Sequence, residues 1–260
     1  MIYKEGEIIF ESAPFCTSLN YEKKGRYCDY CFKERNKLFE CQNCHLMFYC
    51  NRNCEEFNSI HKFECRAFSE ISKHQYPNER LQNASIILFL RILIKIKLDD
   101  SVIGEEIDQF NNLSDEFDKL KNDKEKIEKM TLFINNIELI MGSQFISKFT
   151  SDEIISNFGK MVLHQFEIKD QNIAIGMGIY LKPSKNLKHS CEPNSKVFFN
   201  GNKLYVKAER LILNNEDPTI SFCDLKLSDS ERKKFLKTHF YFECNCPRCS
   251  GINKEQVIFF

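Results

Sequence analysis

The chain has 260 residues, long enough to bury one sizeable core and to add a small module. Lysine and arginine total 37, and so do aspartate and glutamate, so net charge does not favour nucleic acid or an anionic membrane as a partner. Charged side chains stand where a signal peptide would be apolar, at Lys4, Glu5, Glu7 and Glu11, so we expect no signal peptide.

The longest apolar stretch, Ala84 to Ile94, is short and contains Arg91, so we predict no membrane span. The chain has thirteen cysteines, and we interpret their C-x-x-C pairs as zinc sites in a reducing compartment, because such pairs in intracellular chains are typical of zinc binding. The chain is therefore expected to be nuclear or cytoplasmic.

From the N-terminus, Tyr3 to Phe15 is predicted to form a short pair of strands around Gly6. The next segment, Cys28 to Cys65, has two C-x-x-C pairs, one C-x3-C pair and one H-x3-C pair. So short a segment cannot bury a core, whereas zinc supplies folding free energy on the order of 10 kcal/mol. A disulfide network is the alternative. The candidate ligands are Cys28, Cys31, Cys41, Cys44, Cys50, Cys54, His61 and Cys65.

Within this segment, Cys50 to His61 are predicted to form a short helix. Met47, Phe48 and Tyr49 lie between ligands and form either a packing layer or part of a peptide groove. We favour packing, because so small a module needs all its aromatic side chains.

The middle of the chain is predicted to be helical. Leu81 to Leu98 is apolar on nearly every face, which indicates a buried helix, and Asp115 to Met141 indicates one or two amphipathic helices. Thr150 to Glu153 is a capping box that begins a helix through about His164. Asp99 to Glu105 and Asn111 to Ser114 are predicted polar turns. We interpret 81–165 as a helical insert, with a separate helical domain as the alternative.

Strand character returns at Phe166, and the glycines of Ile175 to Tyr180 allow another backbone to approach. Val197 to Phe199 and Leu204 to Ala208 are predicted to form a hairpin across Asn200–Gly201. A second capping box, Ser228 to Glu231, begins a helix predicted over Asp229 to His239.

Cys244, Cys246 and Cys249 form a thiol trio near the C-terminus that lacks a fourth zinc ligand. Cys191, in the segment Leu187 to Asn194 (LKHSCEPN), is the predicted fourth ligand. The alternative is a buried free thiol. Cys16 and Cys223 remain as the cysteines outside every ligand set.

The HSCEPN segment, ISFCDL at Ile220 to Leu225 and FECNCPRC at Phe242 to Cys249 resemble a SET domain with its post-SET zinc knot. Cys28 to Cys65 resembles a MYND zinc finger, so the chain is similar to the SET- and MYND-domain protein-lysine methyltransferases. The resemblance implies an α+β fold: a SET β-fold with an inserted finger, a helical insert and a post-SET zinc site. The expected order is a partial SET segment (1–27), the finger (28–65), the insert (66–165), the SET core (166–228) and the post-SET helix and knot (229–260).

The resemblance also implies three zinc ions and S-adenosylmethionine as cofactor. The expected ligand sets are Cys28, Cys31, Cys50 and Cys54; Cys41, Cys44, His61 and Cys65; and Cys191, Cys244, Cys246 and Cys249. Relative to the family pattern, the N-terminal G-x-G strand and the C-terminal helical repeat domain are expected to be absent.

At the catalytic positions the chain departs from the family. The family's N-H-S becomes Lys188-His189-Ser190, its upstream asparagine becomes His164, and two tyrosines become Phe222 and Phe240. Tyr241 is a possible substitute for the second tyrosine, although neighbours on a strand would point to opposite faces. The resemblance assigns cofactor binding to His164, Tyr180, Lys188, His189 and Phe242. For His189, a structural histidine bonded to backbone is the alternative.

The resulting hypothesis is a protein-lysine methyltransferase of reduced activity. The alternative is an inactive, zinc-stabilised protein-binding module on the same scaffold. A zinc-finger nucleic-acid binder is disfavoured by the neutral charge. The expected partner is a protein substrate or a peptide. If the finger binds the peptide, we expect that peptide to contain proline.

Overall fold

The computed structural model describes residues 2–73, 81–97 and 104–251. The described residues divide into two compact units. The first unit combines residues 2–12, 182–198 and 204–251, and the second combines residues 13–181 and 199–203.

The strands are β1 (Ile8–Ser12), β2 (Cys16–Leu19), β3 (Phe39–Glu40), β4 (Phe48–Tyr49), β5 (Gln165–Asp170), β6 (Ile173–Ile179), β7 (Lys188–His189), β8 (Ser195–Asn200), β9 (Lys203–Ala208) and β10 (Thr219–Ile220). The helices are α1 (Arg52–Glu56), α2 (His61–Ser72), α3 (Ala84–Lys97), α4 (Gly104–Asn111), α5 (Phe117–Lys121), α6 (Lys124–Met141), α7 (Ser143–Ile146), α8 (Ser151–His164), α9 (Leu181–Asn186), α10 (Asp229–Phe240) and α11 (Pro247–Ser250). This mixture of strands and helices confirms the predicted α+β class. In the described ranges, no helix combines the length and the apolar character needed to cross a bilayer.

The first unit is built on a sheet of order β1–β9–β8 and on the parallel pair β7–β10. The β8–β9 connection turns at Gly201, whose φ of +63° is the left-handed conformation that glycine tolerates. The predicted hairpin is therefore confirmed. Helix α10 begins at the predicted capping box, in which Ser228 accepts from the Glu231 amide and Glu231 accepts from the Ser228 amide.

The second unit has a sheet of order β2–β6–β5, against which α3 packs. In β6, a Cβ added at Gly176 would lie 2.5 Å from the Ser18 carbonyl oxygen, so only glycine allows this approach. The predicted close approach of a second backbone is confirmed.

The helical part of the second unit agrees with the predicted pattern. Helix α3 is buried from Ala84 to Ile94 except at Ser85, and its predicted last residue, Leu98, lies outside the described residues. The predicted amphipathic stretch forms α5 and α6, and α8 begins at the Thr150 capping box.

Three local predictions need correction. Tyr3 to Phe15 does not pair with itself around Gly6, because β1 pairs with β9 and Tyr3 bridges Ile212. The predicted turn at Asp99 to Glu105 overlaps α4, which begins at Gly104 and was not predicted, while residues 98–103 lie outside the described part of the chain. The predicted Cys50 to His61 helix covers only Arg52–Glu56, and His61 begins α2.

Candidate zinc sites and candidate active site

The first metal cluster joins the first C-x-x-C pair of the finger to its C-x3-C pair. Cys28, Cys31, Cys50 and Cys54 place their sulfur atoms within 4.8 Å of one another. The Sγ–Sγ distance is 3.7 Å between Cys31 and Cys50 and 3.3 Å between Cys50 and Cys54. Helix α1 positions Cys54, because the Asn51 side chain caps that helix by accepting from the Cys54 amide at 2.9 Å.

The second cluster joins Cys41, Cys44, His61 and Cys65, again within 4.8 Å of one another. Cys41 Sγ lies 3.6 Å from Cys65 Sγ, and His61 Nε2 lies 3.7 Å from Cys44 Sγ. Helix α2 supplies both His61 and Cys65.

Behind this second cluster lies a buried carboxylate. Glu64 Oε1 lies 3.4 Å from His61 Nδ1, and the Arg91 side chain donates to both Glu64 oxygens, at 2.6 and 3.0 Å. Burial opposes ionisation of Glu64, but the charge of Arg91 outweighs it and lowers the pKa of Glu64 to about 2. An ionised carboxylate behind a histidine ligand fixes its tautomer and orientation. Sequence reasoning missed this pair, although an arginine within an apolar helix is a signal for a buried acid.

The third cluster lies in the first unit, where Cys191, Cys244, Cys246 and Cys249 are within 4.8 Å of one another. Cys191 Sγ lies 3.5 Å from Cys249 Sγ and 3.9 Å from Cys244 Sγ. The Cys191 amide is 3.4 Å from Cys246 Sγ, in position to donate to it. The structure thus brings the terminal trio together with the predicted fourth thiol.

All three donor sets fit a tetrahedral zinc ion. Arms of about 2.3 Å give a tetrahedral edge of about 3.8 Å, which is close to the sulfur separations in each cluster. A disulfide would need an S–S distance of about 2.05 Å, and all thirteen cysteines are free thiols. The alternative of a disulfide network is therefore wrong.

Met47 and Tyr49, between the ligands of the finger, are fully buried, whereas Phe48 is half-buried. The predicted packing role is therefore confirmed for Met47 and Tyr49, and stays a prediction for Phe48. Phe57, on the same finger, is 64% exposed.

His189, in the first unit, is held by two hydrogen bonds. The Phe222 amide donates to its Nδ1 at 3.0 Å, so the neutral ring has its proton on Nε2, which lies 3.3 Å from Cys191 Sγ. Burial and then the charge of Arg232 lower the pKa of His189 to about 4. The ring is therefore neutral at neutral pH, bonded to a backbone amide and directed at the Cys191 sulfur of the third cluster.

An aromatic group surrounds this histidine. The Phe222 ring lies 5.4 Å from His189 and 5.2 Å from Phe240, and the Phe242 ring lies 5.7 Å from His189. Tyr241 adopts a left-handed conformation, with φ of +60°, at the end of α10. The expectation that Phe240 and Tyr241 are neighbours on a strand is therefore wrong, because a helix ends between them.

Lys188 does not stand as an isolated cation. It is exposed on β7, and its Nζ lies 2.5 Å from the Asp217 carboxylate. Its charge is therefore balanced locally within the first unit.

His164 and Tyr180 belong to the second unit. His164 Nε2 lies 2.9 Å from the Ser114 carbonyl oxygen, and burial lowers the pKa of this histidine. The Tyr180 hydroxyl donates to the Asn202 carbonyl at 2.6 Å, and its side chain is fully buried. Both side chains are therefore engaged with backbone, and their cofactor roles stay predictions.

Comparison with known proteins identifies the finger and finds relatives of nearly the whole chain. Residues 28–65 match the family described as MYND finger. The chain is 29% identical over 259 residues to histone-lysine N-methyltransferase SMYD3 of Mus musculus and of Homo sapiens, covering 97% of this chain and 58% of each relative. It is 26% identical over 262 residues to N-lysine methyltransferase SMYD2 of Homo sapiens, with 98% and 58% covered.

The chain therefore spans less than two thirds of the length of these relatives. The match to the MYND finger and the three clusters confirm the prediction of zinc binding. The predicted resemblance is likewise confirmed: the chain contains a MYND finger and is homologous over nearly its whole length to the SET- and MYND-domain lysine methyltransferases.

Proposed function

We propose that the chain binds three zinc ions, one in each cluster. The geometry of the donor sets supports this number, because twelve ligand atoms fall into three groups of four without sharing. Elemental analysis of the purified chain is expected to give three zinc ions per chain. A value near one or two would contradict the assignment.

We further propose that the chain is a protein-lysine methyltransferase of reduced activity. The observation that supports this proposal most is the set of contacts made by the amide and the ring of Phe222. Its amide holds His189, and its ring packs on Phe240 and Phe242, so the local architecture persists where the family has a tyrosine hydroxyl. Phenylalanine keeps the packing of tyrosine and loses its hydrogen-bonding group.

S-adenosylmethionine would supply an activated methyl group. In the first unit, His189 and Phe242 fit a role as a wall for this cofactor, since both are half-buried within the aromatic group. Lys188 offers no acceptor where the family has an amide, and Asp217 already pairs its ammonium. In the second unit, His164 and Tyr180 use their polar atoms on backbone carbonyl groups. These features support weak binding of the cofactor.

The methyl acceptor requires an amine that is oriented and deprotonated. Phe222 and Phe240 can line an apolar channel, but neither can accept or donate a hydrogen bond to the amine. The loss of such a group costs about 10² to 10³ in rate. We therefore propose slow transfer to a protein lysine.

The alternative, an inactive protein-binding module, would use the finger alone. We propose that the finger binds a proline-containing peptide. Exposed Phe57 on the finger supports an apolar contact there.

We also propose that the chain acts in the nucleus or cytoplasm. Its proposed functional organisation is the five segments 1–27, 28–65, 66–165, 166–228 and 229–260.

Calorimetric titration with S-adenosylmethionine and radiolabelled transfer to proteins of a cell lysate test the proposal. We expect weak binding and slow labelling that His189→Ala abolishes. Labelling as fast by His189→Ala as by wild type would contradict the proposed site. Binding of a proline-containing peptide without any labelling would favour the inactive module.

A further inference from the structure

One thiol lies beside the third cluster without belonging to it. Cys223 Sγ, a ring nitrogen of His189 and Cys191 Sγ are all within 4.8 Å of one another, and Cys223 is half-buried. All three residues belong to the first unit. The cluster around Cys191 is therefore bordered by a fifth sulfur atom, which the four-coordinate zinc site does not need.

A second metal ion at these three residues does not fit the hydrogen bonds. The Phe222 amide donates to His189 Nδ1 at 3.0 Å, so the neutral ring has its proton on Nε2, the atom that lies 3.3 Å from Cys191 Sγ. A metal at Nε2 would displace that proton to Nδ1, where it would oppose the Phe222 amide. The pair of sulfurs is therefore the reactive element of this group.

The backbone holds the two sulfur-bearing segments side by side. Strands β7 and β10 are paired in parallel, with Ile220 opposite His189, and the Ser190 amide donates to the Ile220 carbonyl at 3.0 Å. Arg248 closes the same gap, with Nη1 3.3 Å from the Cys191 carbonyl oxygen and Nη2 3.4 Å from that of Leu225. Cys191 and Cys223 thus lie next to each other on two clamped segments.

The turn that carries Cys223 is fixed by a neighbouring side chain. Ser221 Oγ accepts from the Cys223 amide at 3.3 Å and donates to the Cys223 carbonyl at 2.8 Å. The position of the Cys223 sulfur beside Cys191 is therefore held by local hydrogen bonds as well as by the paired strands.

We propose that Cys223 is a redox-modification site: a hydroperoxide couples Cys223 to Cys191 in a disulfide and releases the zinc ion of the third cluster. This inference rests on the third zinc site proposed above. It assigns to Cys223 a role that zinc binding by the four ligands does not require.

The chemistry balances in two steps. Cys223 sulfur attacks a peroxide oxygen, the O–O bond breaks, and a sulfenic acid forms while the other oxygen leaves as water or an alcohol after taking the thiol proton. Cys191 sulfur then attacks the sulfenic sulfur, forming the S–S bond and expelling hydroxide. Two thiol sulfurs lose two electrons, and the peroxide gains them. Cys191 in the disulfide would no longer be a thiolate ligand, so the zinc site would be left with three ligands of four and would lose its ion to a chelator.

The test uses the full zinc-loaded chain treated with hydrogen peroxide. Released zinc is followed with a chromogenic chelator, and disulfides are mapped after alkylation and non-reducing trypsin digestion. The digest separates the thiols, since Cys191 lies in peptide 189–196, Cys223 in 211–226, Cys244 and Cys246 in 238–248, and Cys249 in 249–254. We expect the 189–196 peptide linked to the 211–226 peptide, with one zinc ion released for each link.

Cys223→Ser is expected to remove this link and to slow zinc release at least about fivefold, while Cys223→Ala checks that serine itself has no effect. Cys16→Ser is the matched control, because Cys16 is also outside every ligand set but is buried. Zinc release as fast from Cys223→Ser as from wild type, or links only among the four ligands, would overturn the inference and leave the zinc assignment intact. An untreated chain with no zinc in the third cluster would overturn both.

Discussion

Arg91 and Glu64 form a buried ion pair 27 residues apart in the chain, with Arg91 Nη2 2.6 Å from Glu64 Oε1 and Nε 3.0 Å from Oε2. Glu64 is fully buried and Arg91 is 4% exposed. Since Glu64 also faces His61 Nδ1, the pair connects helix α3 to a proposed zinc ligand of the finger. The second zinc site and the helical core are therefore expected to depend on each other.

The first prediction is that Glu64→Gln weakens zinc binding at the second cluster by about 10- to 100-fold, since His61 loses its carboxylate partner. The same change leaves the Arg91 charge buried and unpaired, which costs about 3–5 kcal/mol of stability. Competition with a chelator of known affinity measures the first effect, and chemical denaturation of the zinc-loaded chain measures the second.

Glu70→Gln is the control for this prediction, because Glu70 lies on the same helix but pairs with Lys73 at the surface. The double change Glu64→Leu with Arg91→Leu removes both charges and should recover much of the stability without recovering the zinc affinity. Equal zinc affinity in wild type and Glu64→Gln would show that the carboxylate does not support His61.

The second prediction concerns the hairpin turn on the finger. Gly201 has φ of +63°, and an added Cβ would lie 2.3 Å from the Cys31 carbonyl oxygen. Gly201→Ala is therefore expected to destabilise the chain by about 2 kcal/mol through backbone strain and the clash. The thermal midpoint should fall by about 5 °C.

Gly104→Ala is the control, because that glycine begins α4 with no atom within 4 Å of an added Cβ. It should leave the midpoint unchanged or raise it slightly. Equal thermal midpoints for the two variants would mean that the Gly201 turn does not pack against the Cys31 carbonyl group.

The third prediction separates the two cysteines outside the ligand sets. Burial raises the pKa of Cys16 to about 12, so its thiolate fraction at pH 8 is about one in 10⁴. Iodoacetamide at pH 8, with zinc retained, should label Cys223 in peptide 211–226 and leave Cys16 in peptide 5–23 unmodified. Labelling of Cys16 should rise only as the pH approaches its pKa. Comparable labelling of both at pH 8 would contradict the burial of Cys16.

The features that the sequence predicted well are local ones. A cap such as Thr150 with Glu153, or the Asn200–Gly201 turn, is determined by residues within a few positions of each other. The zinc clusters were also predictable, because ligand spacing is specific and the family pattern supplies the grouping.

The features that were missed depend on distant partners. The strand after Gly6 pairs with β9, about 200 residues away, and nothing near Gly6 specifies that partner. Arg91 was interpreted only as an interruption of an apolar stretch, because its partner Glu64 lies in the finger. Tyr241 was expected on a strand, but the capped helix α10 extends to Phe240. In each case tertiary contacts override the local pattern.

The central claim is that the scaffold persists while the missing hydroxyl at Phe222 limits methyl transfer. Phe222→Tyr is the most direct test, because it restores the hydroxyl at a half-buried position, while Phe198→Tyr adds the same group on the exposed face of β8 as control. With radiolabelled S-adenosylmethionine and lysate proteins, we predict that Phe222→Tyr raises the labelling rate at least about tenfold and Phe198→Tyr leaves it unchanged. Robust labelling by the wild type, with no gain from Phe222→Tyr, would contradict the account.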